Sequence, residues 1–362
     1  MQRSDFCIAG AGIIGLSLAL ELNRRGASVT VLDQADPLAE ASTAAAGMLA
    51  ANDPDNPPAL QPLSDLSAAL YPAYLAYLER LSGIPVPFQT NTTLQAIQSA
   101  HPLFSQALTP ATATALLPQL NLHGRSFLQL HEHSVDPGQL APALLGAVQA
   151  TTIDLRTHTP VRAVHTSTTG TQVETANDTF TATNYIDCSG AWAISPDRNP
   201  RHPVTPRKGQ LCYIALPEAA PLDLVVRTPQ VYIVPRTTGP HAAQAIIGAT
   251  VEDCGFDTTV HPDDIARLFA AAVNLIPSLA AAPILESWAG LRPATPDRLP
   301  LLGSLPNQPH QFLATGHYRN GILLAPATAH LMAQILCHET CSIDPTPFSP
   351  TRKEHQPLTT TP

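Results

Sequence analysis

Three glycines and one acid near the start of the chain carry its clearest chemistry. Gly10, Gly12 and Gly15 form G-x-G-x-x-G, and Asp33 follows 18 residues after the last of them. Glycines at this spacing let backbone approach a pyrophosphate, and a helix starting among them offers free N–H groups to the anion. An acid about 20 residues on, at the end of the next strand, binds a ribose hydroxyl. The pattern is that of a dinucleotide site. By itself it does not choose between a nicotinamide and a flavin.

The flanking residues supply the elements that such a site needs. Residues 6–9 are a short apolar run suited to a buried strand, and 13–25 have helical periodicity ending at Gly26. Residues 28–32 form a second apolar strand that delivers Asp33. Residues 40–49, EASTAAAGML, are nearly free of bulk, as backbone must be where it passes a flat ring system or a pyrophosphate. Ser42 or Thr43 there can also cap a helix start. Near residue 188 another apolar strand runs into Ser189 and Gly190, a second small-residue turn at a strand end. A third follows the strand at 311–314, where residues 316–321 lead into an apolar helix over 322–336.

Composition bounds the rest. With 362 residues, 44 % hydrophobic and 13 % charged, the chain is globular and long enough for two lobes. Its net charge is −9, and its only lysines are Lys208 and Lys353, so a nucleic-acid partner is not expected. Six cysteines lie scattered without a framework, which suits a reducing cytoplasm. Cys337 and Cys341 flank His338, but no second ligand pair matches them and no metal is expected. The apolar stretch 6–22 is short for a span of ~20 residues. It also contains Glu21 and lacks a cleavage site, so no membrane segment is expected and the protein is read as cytoplasmic. A helix over 66–81 carries Tyr71, Tyr74 and Tyr77, a stripe read as packing.

Five motifs, spread over nearly the whole chain, together resemble the D-amino-acid-oxidase-like flavoproteins. They are the first glycine turn with Asp33, AAAGML at 44–49, YIVPR at 232–236, GLRP at 290–293 and GHYRNGILLAP at 316–326. Within that family the chain looks most like the glycine oxidases of the thiamine pathway. The resemblance implies FAD rather than NAD. It implies an α/β fold: a Rossmann-type FAD-binding domain with an inserted, mainly antiparallel β-sheet substrate domain. The expected division is 1–82, 135–203 and 286–341 for the first, 83–134 and 204–285 for the second, and a flexible tail over 342–362.

The resemblance also places the site. It puts substrate-binding arginines at Arg292 and Arg319, and a pocket tyrosine at Tyr232. An arginine fork holds an α-amino acid by its carboxylate in a way that a lysine cannot. Cofactor contacts are expected at Gly10, Gly12, Ile13, Ile14, Gly15, Asp33, Gln34, Ala41, Ser42, Ala46, Gly47, Met48, Val161 and Gly190. Further contacts are expected at His317, Tyr318, Asn320, Gly321, Ile322 and Leu323. No residue is assigned as catalytic acid or base, and His317 is read as a turn residue offering backbone. The cysteine that links FAD covalently in the sarcosine oxidase branch falls on Gly290, so FAD is expected to be non-covalent. The histidine expected two residues before Tyr232 is absent, because Gln230 stands there.

The function implied is oxidation of glycine, sarcosine or a small D-amino acid by hydride transfer to flavin N5. The products would be an imine or glyoxylate, ammonia and hydrogen peroxide, with molecular oxygen as acceptor and a role in thiazole synthesis for thiamine. The alternative is a D-amino-acid dehydrogenase passing electrons to a quinone. Neither a membrane nor a nucleic acid is an expected partner, and similar enzymes suggest a homo-oligomer, a tetramer.

Overall fold

The computed structural model of the chain describes residues 3–193, 204–218 and 221–352. Two sheets organise them. The first runs in the order Leu301–Leu305, Gln308–Thr315, Thr179–Asp187, Ser4–Ala9, Val29–Leu32, Asp154–Arg156. Along this path the inner pairings are parallel and the edge strand Leu301–Leu305 pairs antiparallel, while off it Gly170–Glu174 pairs antiparallel with Thr179–Asp187. Parallel strands need both faces covered, so their residues read as continuous apolar runs rather than alternating ones. Ile8, Val31 and Ile186 accordingly face the helices Ile13–Arg24, Gln61–Ser82, Pro137–Gln149 and Gly321–Leu336 in one large core. The other face is covered by a hairpin, Ala163–Ser167 with Gly170–Glu174, over Cys7, Ala9 and Tyr185.

Local chemistry sets the helix boundaries. Asp136 caps Pro137–Gln149 by accepting from Gly138 N at 2.9 Å, and Thr109 caps Pro110–Leu116. Gln61–Ser82 stops at Gly83, which takes the left-handed conformation. Its tyrosines pack inward. The Tyr71 hydroxyl donates to the carbonyl of Ile322 at 2.7 Å, and the Tyr74 hydroxyl meets Ser17 Oγ at 2.7 Å. This helix is therefore stitched to both dinucleotide-side helices.

The second sheet runs Ile284–Ala294, Thr205–Ala215, Gln244–Gly248, Tyr232–Arg236, Val225–Arg227, Thr93–Ile97, Ser126–Leu130. All of its pairings are antiparallel except that between Val225–Arg227 and Thr93–Ile97. Alternation gives it two faces. Cys212, Ile214, Val226, Ile233 and Ile247 pack beneath the amphipathic helix Pro262–Leu275. On the opposite face Leu211, Val225, Val234 and Ile246 meet Ala46 and Met48 from the small-residue segment.

Two expected boundaries move. The strand Ile284–Ala294 pairs with Thr205–Ala215 as far as Ala294, so residues 286–294 lie in the second sheet rather than with the first. Strand pairing outweighs the motif-based reading there. The tail does not loosen at 342 either. Phe348 is fully buried in the first core, and the Arg352 guanidinium grips Asp297 through Nε at 2.7 Å and Nη2 at 2.9 Å. A proline- and threonine-rich composition concealed these two anchors. Residues 194–203 and 353–362, within the expected first domain and the expected tail, lie outside the described residues.

Candidate active site

A cavity of about 810 Å³ runs between the two sheets. At one end is the glycine turn. Gly10 has φ +103°, and a β-carbon there would lie 2.4 Å from the carbonyl oxygen of Cys188. Only glycine fits. A β-carbon on Gly15 would lie 2.0 Å from the Gly10 carbonyl, so this third glycine lets helix pack on strand. Asp33 is held by the same turn: its carboxylate accepts from Ala11 N at 2.5 Å and from Ala35 N at 2.9 Å. Ser42 reaches the helix start, where its hydroxyl accepts from Ile13 N at 2.9 Å. The small-residue segment and the glycine turn therefore share one hydrogen-bonded wall.

That segment is fixed from the second sheet. Trp288 Nε1 donates to the Ala44 carbonyl at 3.1 Å, and buried Arg236 donates through Nη2 to the Ala46 carbonyl at 2.9 Å. Gly47 has φ +82°, with the Val135 carbonyl where a side chain would be. Gly290 leaves no room for one, since its β-carbon would lie 2.5 Å from that of Ala44.

At the other end the second sheet lays a row of residues along the cavity. Strand register aligns Gln95, Arg227, Tyr232, Gly248 and Leu211 across five strands, and all five line the cavity. Gly248 admits the Tyr232 ring, because a β-carbon there would lie 2.6 Å from the phenolic oxygen. Burial pushes the Tyr232 phenol up, opposed by the nearby guanidinium groups of Arg292, Arg319 and Arg236. Arg292 extends past Gly209 and donates through Nη1 to the carbonyls of Thr250 at 3.1 Å and Lys208 at 3.3 Å. Arg319 donates through Nη2 to Asp53 Oδ2 at 2.9 Å.

Of the expected residues, the cavity wall brings together Arg292, Arg319, Tyr232, Gly10, Gly12, Ile13, Ile14, Asp33, Gln34, Ala41, Ser42, Ala46, Gly47, Met48, Val161, Gly190, His317, Tyr318, Asn320, Gly321 and Ile322. Gly15 and Leu323 lie off it. Gly15 serves the helix–strand contact, and the fully buried Leu323 uses its carbonyl to accept from Ser67 Oγ. The His317 ring turns away, its Nε2 lying 3.0 Å from Thr328 Oγ1, and burial lowers its pKa to about 3. It is thus neutral, and it is occupied. Gln95, Asp53 and Arg227 line the cavity but went unnoticed in the sequence. No local pattern marked them: Arg227 ends the short strand VVR, and its alignment with Tyr232 comes from pairing in the folded sheet. Among the described residues no three His, Cys, Asp or Glu side chains gather as a metal site, and no helix is long and apolar enough to cross a membrane.

The wall fits a flavin dinucleotide. It combines a helix N-terminus behind strained glycines, an anchored acid, and a long small-residue stretch where a ring system needs close backbone. Comparisons with known proteins agree. The family described as FAD dependent oxidoreductase matches residues 5–335. The bifunctional protein ThiO/ThiG of Nostoc sp. is 35 % identical over 359 residues, covering 92 % of this chain and 53 % of its own. The chain thus spans about half the length of that relative. Glycine oxidase of Geobacillus kaustophilus is 31 % identical over 372 residues, covering 97 % of each chain. Its crystal structure superposes with a TM-score of 0.91 over 98 % of this chain and 100 % of that one. Iminodiacetate oxidase from Chelativorans sp. gives 0.83 at 26 % identity, covering 97 % and 100 %.

Proposed function

The chain belongs to the FAD dependent oxidoreductase family, and from that premise we propose that it oxidises glycine or a similarly small amino acid, sarcosine or a small D-amino acid, at the C–N bond. The observation that carries this is the meeting of Arg292 and Tyr232 on the cavity face of the second sheet. FAD held along the glycine wall would supply the hydride acceptor, with oxygen as the final electron acceptor giving peroxide.

The chain's own residues bind and orient. Arg292, held from behind by two backbone carbonyls, keeps other N–H groups for a substrate carboxylate, and the Tyr232 hydroxyl adds a donor beside it. The clamp fixes the α-carbon relative to the ring site, and orientation is the main demand of such a transfer. No base is assigned: His317 is neutral and turned to Thr328, and Asp53 is taken up by Arg319. The substrate amine must therefore arrive unprotonated. The products would be an imine, hydrolysed to glyoxylate and ammonia, together with hydrogen peroxide.

The likeness to ThiO/ThiG and glycine oxidases supports supply of thiamine thiazole synthesis. Gly290, closed off by Ala44, supports FAD held without a covalent link. The likeness to glycine oxidases supports oxygen over a quinone as acceptor, and a cytoplasmic location is part of the same reading. Similar enzymes suggest a tetramer. The test is glycine turnover followed by oxygen uptake and peroxide release against turnover with a soluble quinone. One peroxide formed per oxygen consumed supports the reading; turnover with quinone alone refutes it.

A further inference from the structure

Beside Tyr232 the cavity wall holds a buried charged cluster that the amino-acid reading does not use. Arg227 stands directly opposite Tyr232 across an antiparallel pair, so the two side chains share one face. Arg227 Nη2 lies 3.3 Å from Glu132 Oε2, Nη1 lies 3.8 Å from Asp53 Oδ2, and Nε donates to Gln95 Oε1. Neither terminal nitrogen of Arg227 makes a hydrogen bond, although the residue is only 6 % exposed. Asp53 is shared, since its Oδ2 also accepts from Arg319 Nη2 at 2.9 Å. Its other oxygen accepts from Asp55 N at 3.0 Å, which fixes the carboxylate in place.

Three guanidinium groups thus line this end of the cavity against two buried carboxylates, Asp53 and Glu132. Arg319 and Arg227 are matched. Arg292 has only the backbone carbonyls of Lys208 and Thr250, with no carboxylate in ion-pair range among the described residues. Asp55, exposed at the rim, is solvated and weighs little. A substrate carboxylate therefore finds one uncommitted cation. A second carboxylate would have to share Arg319 with Asp53, against its like charge, or draw Asp53 away and leave that buried anion with the Asp55 amide and Arg227 at 3.8 Å, and either costs much of what the new contact returns.

We infer that Asp53, acting through Arg319 and Arg227, is the residue that restricts this pocket to amino acids with a single carboxylate. Glycine, sarcosine and D-alanine satisfy that rule, whereas D-aspartate and iminodiacetate do not. The inference rests on the reading of the cavity as an amino-acid site and adds the charge class that it accepts. It also makes Asp53→Asn a change of specificity rather than a simple loss. Asparagine keeps the volume and the Oδ1 acceptor for Asp55 N, while it frees Arg319 for a second anion and leaves Arg227 with Glu132 as its one carboxylate.

Unreactive probes test this without turnover. Acetate and malonate carry one and two carboxylates, and their binding to the FAD-loaded protein can be measured by calorimetry at pH 8, chosen on the alkaline side because burial pushes the Glu132 carboxyl up against the pull of Arg227. Malonate should bind the native protein no more tightly than acetate. In D53N its affinity relative to acetate should rise by at least ~10-fold, and adding Arg227→Met should cancel much of that gain. Native protein that already prefers malonate by ~10-fold, or a folded D53N with an unchanged ratio, would overturn the inference. If D53N does not fold, the native ratio decides. Binding of neither probe would overturn the carboxylate site itself and this inference with it, and glycine turnover is scored separately.

Discussion

A β-carbon on Gly209 would lie 2.1 Å from a guanidinium nitrogen of Arg292. The two residues lie on adjacent strands, Gly209 opposite Gly290 and Arg292 two positions further on, so all three face the cavity. The clamp thus depends on a missing side chain as much as on the arginine. Gly209→Ala should fold, because the atom it meets is the movable end of a side chain. It should nevertheless raise KM for glycine by an amount approaching that of losing the arginine. Steady-state kinetics alongside thermal melting checks this, and a large drop in Tm with unchanged KM would contradict it.

Arg292→Ala removes the cation left for the substrate. KM should rise by about 2–4 kcal/mol in binding terms, with FAD still retained, because the glycine turn lies at the far end of the cavity. Arg292→Lys should recover only part of the loss, since an ammonium lacks the fork. A KM unchanged in Arg292→Ala would place the carboxylate elsewhere.

His317 gives a pH signature. Its folded pKa, near 3, lies below its usual 6.5, so the unfolded chain binds the extra proton first. Stability from this group is full above about pH 6.5 and falls as the pH drops toward 3, by up to a few kcal/mol. His317→Gln should flatten that part of the stability–pH curve. Denaturant melts from pH 7 to 4 on both proteins give the comparison. Because the ring is not a base, the variant should keep the rise of kcat/KM with pH that the substrate amine sets.

The end of the described chain is structural. Burial pushes the Asp297 carboxyl up, but hydrogen bonds from Arg352 and the Leu299 amide outweigh it and hold the pKa below its usual range. This contribution is present above about pH 4 and is lost as the carboxyl protonates at lower pH. Arg352→Ala should cost about 3 kcal/mol near neutral pH, because it leaves a buried charge unpaired. Chemical denaturation measures it, and a loss under about 0.5 kcal/mol would mean that the pair is effectively solvated.

Much of this architecture was legible in the residues. The glycine turn, Asp33 and the bulk-free 40–49 run are local patterns whose spacing is their geometry, and Ser42 does meet the helix start. Boundaries set by pairing were not legible. The strand Ile284–Ala294 stays with the second sheet because of hydrogen bonds to Thr205–Ala215, some 80 residues away, and Phe348 and Arg352 find partners far back in the chain. The charged wall of Arg227, Asp53 and Glu132 was hidden for the same reason. Its members come from three distant segments, two of them loops, and meet only in the folded chain.

The most direct measurement of the central claim is the visible spectrum of the purified protein mixed with glycine, sarcosine or D-alanine in the absence of air. The account predicts a yellow protein whose visible flavin absorbance bleaches with at least one of them and returns with air. A yellow protein that none of the three bleaches would contradict it.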